Sequence, residues 1–151
     1  MIRVLVCGAY GKMGREVLRA VHKDKQLSIV GAVDVQSDFD DVGSLIGIEK
    51  IGVIVGNDLQ TVIKETKPQV MVDFTNPEVV FQNIKAAIDN GVCPVVGTTG
   101  LSNEQIAEIA ALCREKRVNA LIAPNFSIGA ILMMRLAQEA AKVLPHAEII
   151  E

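Results

Sequence analysis

Three glycines spaced three apart, Gly8, Gly11 and Gly14, follow directly on the apolar run Ile2–Cys7 and lead into an amphipathic segment. Strand, glycine turn and helix, in that order, make an anion site in α/β proteins. Peptide N–H groups at the helix start point at the anion, and the missing Cβ lets the backbone come close. Gly8, Ala9, Tyr10, Gly11, Lys12 and Met13 are therefore candidates for holding a pyrophosphate. Asp34 closes the next β-like run, where a carboxylate can accept hydrogen bonds from the two hydroxyls of an adenine ribose. The plainer alternative is a structural glycine turn and a solvated strand-end aspartate. A carboxylate repels a 2′-phosphate unless a cation intervenes, and the next residues are Val35 and Gln36. The pattern thus favours NAD(H), while Lys12 in the turn leaves NADP(H) open.

Three further loops follow apolar runs. Phe74 and Thr75, in Asp73-Phe74-Thr75-Asn76-Pro77, stand where they can line a phosphate or ribose, or where Thr75 merely helps to start a helix. Gly97-Thr98-Thr99-Gly100 is a tight polar turn that can offer backbone groups to a nicotinamide carboxamide, or simply reverse the chain. In Ala123-Pro124-Asn125-Phe126-Ser127, Asn125 can satisfy buried amides, Phe126 can pack on an apolar ring, and Ser127 can cap a helix.

These loops need a scaffold, and the apolar patterning supplies one. Strands are predicted at Ile2–Cys7, Ser28–Asp34, Val70–Asp73, Pro94–Val96, Asn119–Ile122 and Ala147–Glu151, with a short one at Val53–Val55. Helices are predicted at Lys12–Asp24, Asp58–Glu65, Pro77–Asn90, Asn103–Lys116 and Ser127–Leu144. The alternation implies an α/β fold, a doubly wound parallel sheet covered on both faces. Met13, Val17, Leu18 and Val21 form the apolar stripe of the first helix. Asn76-Pro77 reads as an N-cap followed by proline at the first helical position, and Ser102-x-x-Gln105 as a capping box. Val35–Gly52, rich in Asp, Ser and Gly, reads as a surface loop. The last helix carries an apolar face, Ile128, Ile131, Leu132, Leu136, Ala140 and Val143, expected in a core or a domain junction together with Met133 and Met134.

Bulk properties narrow the function. With 151 residues, half of them apolar, the chain can bury one proper core. A net charge of −3, only 3% aromatics and no Trp argue against a nucleic-acid partner. No apolar run approaches the roughly 20 residues of a membrane span, and the N-terminus lacks a signal-peptide pattern. Cys7, Cys93 and Cys113, and His22 and His146, lack redox or metal-ligand spacing, so a reducing cytoplasm and no metal are expected. The chain stops at Glu151 inside the strand-like Glu148-Ile149-Ile150-Glu151, which reads as a fragment of something longer.

In combination, Gly8-Ala9-Tyr10-Gly11-Lys12-Met13-Gly14, Asp73-Phe74-Thr75, Gly97-Thr98-Thr99-Gly100, Ala123-Pro124-Asn125-Phe126-Ser127-Ile128-Gly129 and Glu148-Ile149-Ile150-Glu151 resemble the 4-hydroxy-tetrahydrodipicolinate (dihydrodipicolinate) reductases of bacterial lysine and diaminopimelate synthesis. The resemblance covers the whole chain. It implies a Rossmann-like cofactor domain over 1–126, with 127–151 a linking helix and first strand of a largely missing substrate domain. It implies a homotetramer for the complete enzyme and a small dicarboxylate substrate. It places cofactor binding at Gly8 through Met13, Asp34, Gly97 through Thr99 and Ala123 through Phe126. Many members have Arg after the ribose-binding acid, whereas Val35 stands here. The family's His pair, Lys and Ser-Gly-Thr loop, which protonate and bind the substrate, lie beyond Glu151, so no catalytic residue is expected in this chain. Two other readings share the glycine turn: another two-domain NAD-dependent dehydrogenase, and a non-catalytic NAD-sensing module.

Overall fold

The computed structural model describes residues 1–123, 125–144, 146 and 148. Six strands, β1 (Ile2–Cys7), β2 (Leu27–Val33), β3 (Val55–Gly56), β4 (Val70–Asp73), β5 (Cys93–Val96) and β6 (Leu121–Ile122), form one sheet. Its order is β3-β2-β1-β4-β5-β6, and every neighbouring pair is parallel. The chain winds outward from β1 in one direction through β2 and β3, then returns to the other side of β1 with β4. The reversal falls between β1 and β4, so the loops leaving these two strands part and open a crevice at their carboxyl ends.

Helices α1 (Lys12–Lys23), α2 (Val42–Ile46), α3 (Leu59–Thr66), α4 (Val80–Asp89), α5 (Asn103–Lys116) and α6 (Ile128–Ala141) complete the described elements. The period of two along β1 sorts its side chains between two layers. Val4 and Val6 pack with Leu18 and Val21 of α1 and with Val42 and Ile46 of α2. Leu5 and Cys7 pack with Ile63 of α3, Met71 of β4 and Ala87 of α4. A third cluster joins Val80, Ile84 and Ile88 of α4 to Val96 and Ile109. Leu5, Leu18, Met71, Ile84 and Ile88 are fully buried, each stabilising the fold by about 1.5–3 kcal/mol relative to exposure. Buried on both sides from Val4 to Cys7, β1 is apolar over those four residues, the run seen in the sequence, while Ile2 and Arg3 at its start are exposed.

Local signals start several helices where expected. Ser102 Oγ accepts from Gln105 N–H at 3.2 Å and Gln105 Oε1 accepts from Ser102 N–H at 2.9 Å, a reciprocal capping box. Asp58 accepts from Thr61 N–H at 2.7 Å and Ser127 from Ala130 N–H at 3.3 Å.

Other expectations need correcting. Val35–Gly52 is not all surface loop, because it contains α2, whose Val42 and Ile46 enter the core. Asp41 makes this possible: its Oδ1 accepts from the amides of Gly43 and Ile51 and its Oδ2 from Gly52, at 2.8, 3.0 and 2.8 Å. Burial pushes the Asp41 carboxyl up, yet these amides outweigh it and hold the group below its ordinary value. Helix α4 begins at Val80, not Pro77. Asn76 instead folds a turn on Glu78, Val79 and Val80, accepting from the first with its side chain and from the other two with its carbonyl. Met13 is exposed, and the buried face of α1 is Gly14, Leu18 and Val21. The short strand is Val55–Gly56, displaced from Val53–Val55. Helix α6 contributes nothing to the described core: Ile128, Ile131, Leu132, Met133, Met134 and Leu136 are all exposed. The expected strand Ala147–Glu151 falls mostly outside the described residues, as does Pro124. Among the described residues no helix is long and apolar enough to cross a membrane.

Candidate functional site

The turn after β1 is held through its backbone amides, mostly by the end of β2 and the residue after it. The amides of Gly8 and Ala9 both donate to Val33 O, at 2.9 and 3.2 Å, and Gly11 N–H donates to Gly8 O at 3.1 Å. Tyr10 N–H donates to Asp34 Oδ2 at 2.9 Å. These four amides are therefore engaged within the chain. Past them, Gly11 occupies the N-cap position of α1 without a side chain to cap it. Among the described residues nothing accepts from the amides of Lys12, Met13 and Gly14. Those three first-turn donors, at the positive end of the α1 dipole, are where an anion can bind.

Gly8 and Gly14 of the turn are required by geometry. Gly8 has φ +81° and lies so close to the Phe74 carbonyl that a Cβ would overlap it. A Cβ on Gly14 would overlap the Gly8 carbonyl, so this position sets how closely α1 approaches the β1 turn.

Two adjoining clefts open over the β1–β4 reversal. One, of about 540 Å³, runs from Asp34 and Gln36 across Gly8, Tyr10 and Gly11 to Phe74 and Thr75. The second, of about 470 Å³, shares Gly11, Phe74 and Thr75 and continues over Lys12, Met13, Pro77, Gly97, Thr98 and Thr99. The candidate residues Gly8, Tyr10, Gly11, Lys12, Met13, Asp34, Phe74, Thr75, Gly97, Thr98 and Thr99 thus line one continuous groove, while Ala9 is fully buried beneath it. Ala123 continues β6 by donating to Val96 O at 3.0 Å. Asn125 Oδ1 accepts from Ser127 N–H at 2.7 Å, a local turn. The Phe126 ring packs against Phe74, centroids 5.7 Å apart.

Asp34 is half-buried at one end of the groove. Its Oδ2 accepts from Tyr10 N–H and its Oδ1 from Gln36 N–H at 3.1 Å, leaving each oxygen a further lone pair. Asp34 therefore both braces the glycine turn and faces the groove. Tyr10 extends the brace: its hydroxyl donates to Asp40 at 2.9 Å and accepts from Asp38 N–H at 3.2 Å. Cys7 lies beneath. Burial pushes its thiol well above its ordinary value, and the Asp73 and Asp34 carboxylates add to the shift.

The description "Dihydrodipicolinate reductase, N-terminus" belongs to the family model that matches residues 2–126. The chain belongs to the dihydrodipicolinate reductase family. It is 51% identical over 151 residues to a 4-hydroxy-tetrahydrodipicolinate reductase of Desulfitobacterium hafniense, covering 99% of this chain and 57% of the relative. It is 49% identical to that of Moorella thermoacetica, covering 99% of this chain and 56% of the relative. The chain thus spans little more than half the length of the reductases it matches. Among solved structures, the dipicolinate-bound dihydrodipicolinate reductase of Paenisporosarcina sp. TG-14 superposes with a TM-score of 0.79 at 36% identity, over 96% of this chain and 55% of that one. The scyllo-inositol dehydrogenase of Lactobacillus casei, at 15% identity and a TM-score of 0.70 over 93% of this chain and 42% of that one, shares the fold.

The groove also contains residues that sequence reasoning missed. Asn57, Asp58 and Leu59 line its first cleft, and Asn83 reaches it from α4. Asn83 did carry a signal: it lies three residues after the buried Val80 and four before the buried Ala87, a core-facing position where an amide needs a partner. That partner is Asp73, which is fully buried and accepts the Asn83 amide at 2.9 Å.

Proposed function

We propose that this chain is the NAD(H)-binding portion of a 4-hydroxy-tetrahydrodipicolinate reductase, with NADP(H) as a second, weaker cofactor. The complete enzyme moves a hydride from the nicotinamide cofactor to the dihydrodipicolinate precursor, giving tetrahydrodipicolinate for lysine and diaminopimelate synthesis. Residues 1–126 form the cofactor domain, and 127–151 are the link and first strand of the substrate domain. A cytoplasmic location and a homotetramer belong to the same reading of the complete enzyme.

The single observation that carries the proposal is the groove across the β1–β4 reversal, with the unengaged amides of Lys12 and Met13 in its middle and Asp34 at one end. The amides take the pyrophosphate and the Lys12 ammonium adds a positive charge beside them. Asp34 takes the adenine ribose diol with its remaining lone pairs. Phe74, backed by Phe126, gives an apolar wall, and Gly97–Thr99 give a polar rim at the far end. When bound, the dihydronicotinamide supplies the hydride. These residues bind, orient and shield it from water. Among the described residues the lining of the two clefts has no histidine, and Lys12 serves the phosphate end. Protonation and clamping of a dicarboxylate therefore fall to the family's His pair, Lys and Ser-Gly-Thr loop.

Calorimetry of the folded 151-residue chain tests the assignment. NADH is expected to bind with one site per chain, and turnover of the dihydrodipicolinate precursor is expected to be undetectable. A folded sample that binds neither NADH nor NADPH rejects the cofactor assignment, and robust turnover rejects the placement of the catalytic groups.

A further inference from the structure

Asp73 ends β4 and is completely buried, yet among the described residues none of its partners is a cation. Its Oδ1 accepts from Thr75 N–H at 3.0 Å, from the Thr75 hydroxyl at 2.7 Å and from the Thr98 hydroxyl at 2.9 Å. Its Oδ2 accepts from the Asn83 amide. One carboxylate thus ties together the loop after β4, the loop after β5 and helix α4. Both threonines line the second cleft. A hydroxyl has a single hydrogen, and here both hydrogens are spent on Asp73, so each hydroxyl can offer the cleft only lone pairs. An unpaired buried carboxylate is costly, and a core position alone would be filled as well by an apolar residue.

We infer that Asp73 is a positioning residue of the cofactor groove: it holds the hydroxyls of Thr75 and Thr98 as obligate acceptors, so that this end of the groove selects a hydrogen-bond donor, the primary carboxamide of the nicotinamide. The inference rests on the dinucleotide reading above and adds to it the polarity of the nicotinamide end. Asp73 acts through the two threonines and touches no reacting atom.

Calorimetric titration of the 151-residue chain with NADH and with ADP-ribose, which lacks only the nicotinamide, separates the possibilities. Thr98→Val keeps the shape and removes the acceptor, and Asp73→Ala releases both hydroxyls. Each is expected to weaken NADH about ten-fold while ADP-ribose stays within about two-fold. Asp73→Asn is expected to restore NADH binding to within about two-fold, because its amide oxygen can remain under the threonines while Asn83 turns its own amide over. Thr98→Ser, which keeps the hydroxyl, should bind as the parent does. Should Asp73→Ala fail to fold, Thr98→Val and Thr98→Ser still decide. Unchanged NADH affinity in Thr98→Val, or equal losses of NADH and ADP-ribose, overturns the inference. A parent chain that binds ADP-ribose as tightly as NADH overturns it while leaving the groove's assignment intact. A parent that binds neither removes both.

Discussion

Replacing Asp34 by Ala separates a ribose-binding carboxylate from a strand-end residue that only braces a turn. Its two oxygens already accept the Tyr10 and Gln36 amides at 2.9 and 3.1 Å, and each retains one lone pair for the 2′- and 3′-hydroxyls of the adenine ribose. A hydrogen bond to a charged acceptor is worth about 1.5–3 kcal/mol. Asp34 is half-buried, so the low end applies, and two such bonds contribute about 3 kcal/mol, roughly a hundred-fold in NADH affinity. NADPH has a phosphate in place of the 2′-hydroxyl. For it the substitution removes at most one bond and also removes a like-charge repulsion of about 1 kcal/mol or more, so its affinity should change by less than about ten-fold. NADH and NADPH titrations of the parent and Asp34→Ala chains, with thermal unfolding as a control for the lost Tyr10 contact, read this directly. Equal losses for the two coenzymes, in a variant that melts like the parent, would mean that Asp34 does not reach the ribose.

Other consequences concern the scaffold under the groove. Gly14→Ala puts a methyl group into the Gly8 carbonyl and should cost about 1–3 kcal/mol in urea unfolding, with dinucleotide binding weakened because α1 must retreat. The Asp41 carboxyl is held below its ordinary value by the amides it accepts, in spite of its burial. Its stabilising effect is present above the ordinary carboxyl value near pH 4 and lost as pH falls through the lower folded value. Asp41→Asn should therefore lower the urea midpoint at pH 7 and flatten the further fall below about pH 4. Burial foremost, then Asp73 and Asp34, raises the Cys7 thiol, so iodoacetamide at pH 8 should leave Cys7 unlabelled in the native chain and modify it in urea, as peptide mass mapping would show.

Much of this architecture could be read from the chain because its determinants are local. The apolar runs that become β1 and β4, the capping box at Ser102 and Gln105, and the glycine spacing each act over a few residues. They specify a strand, a helix start or a close backbone approach whatever lies elsewhere. Helix α2 escaped because five residues are too few for a helical period, and its stability comes from Asp41 gathering amides up to eleven residues away. Helix α6 shows the converse: its apolar residues were plain in the sequence, but periodicity cannot say what covers them, and no described residue of α6 is buried.

At the groove, the amino-acid types alone nominated the Gly8–Met13 turn, Asp34 and the two threonine-bearing loops, since close approach, charge and hydroxyl chemistry belong to single residues. Which amides stay available was decided by tertiary structure. Val33 O takes those of Gly8 and Ala9, and Asp34 takes that of Tyr10, leaving Lys12, Met13 and Gly14. The role of Asp73 was likewise invisible, because its partners stand 2, 10 and 25 residues along the chain and meet only when β4, β5 and α4 pack together. Hydrogen-bond direction is a property of neighbours in space, and sequence order does not carry it.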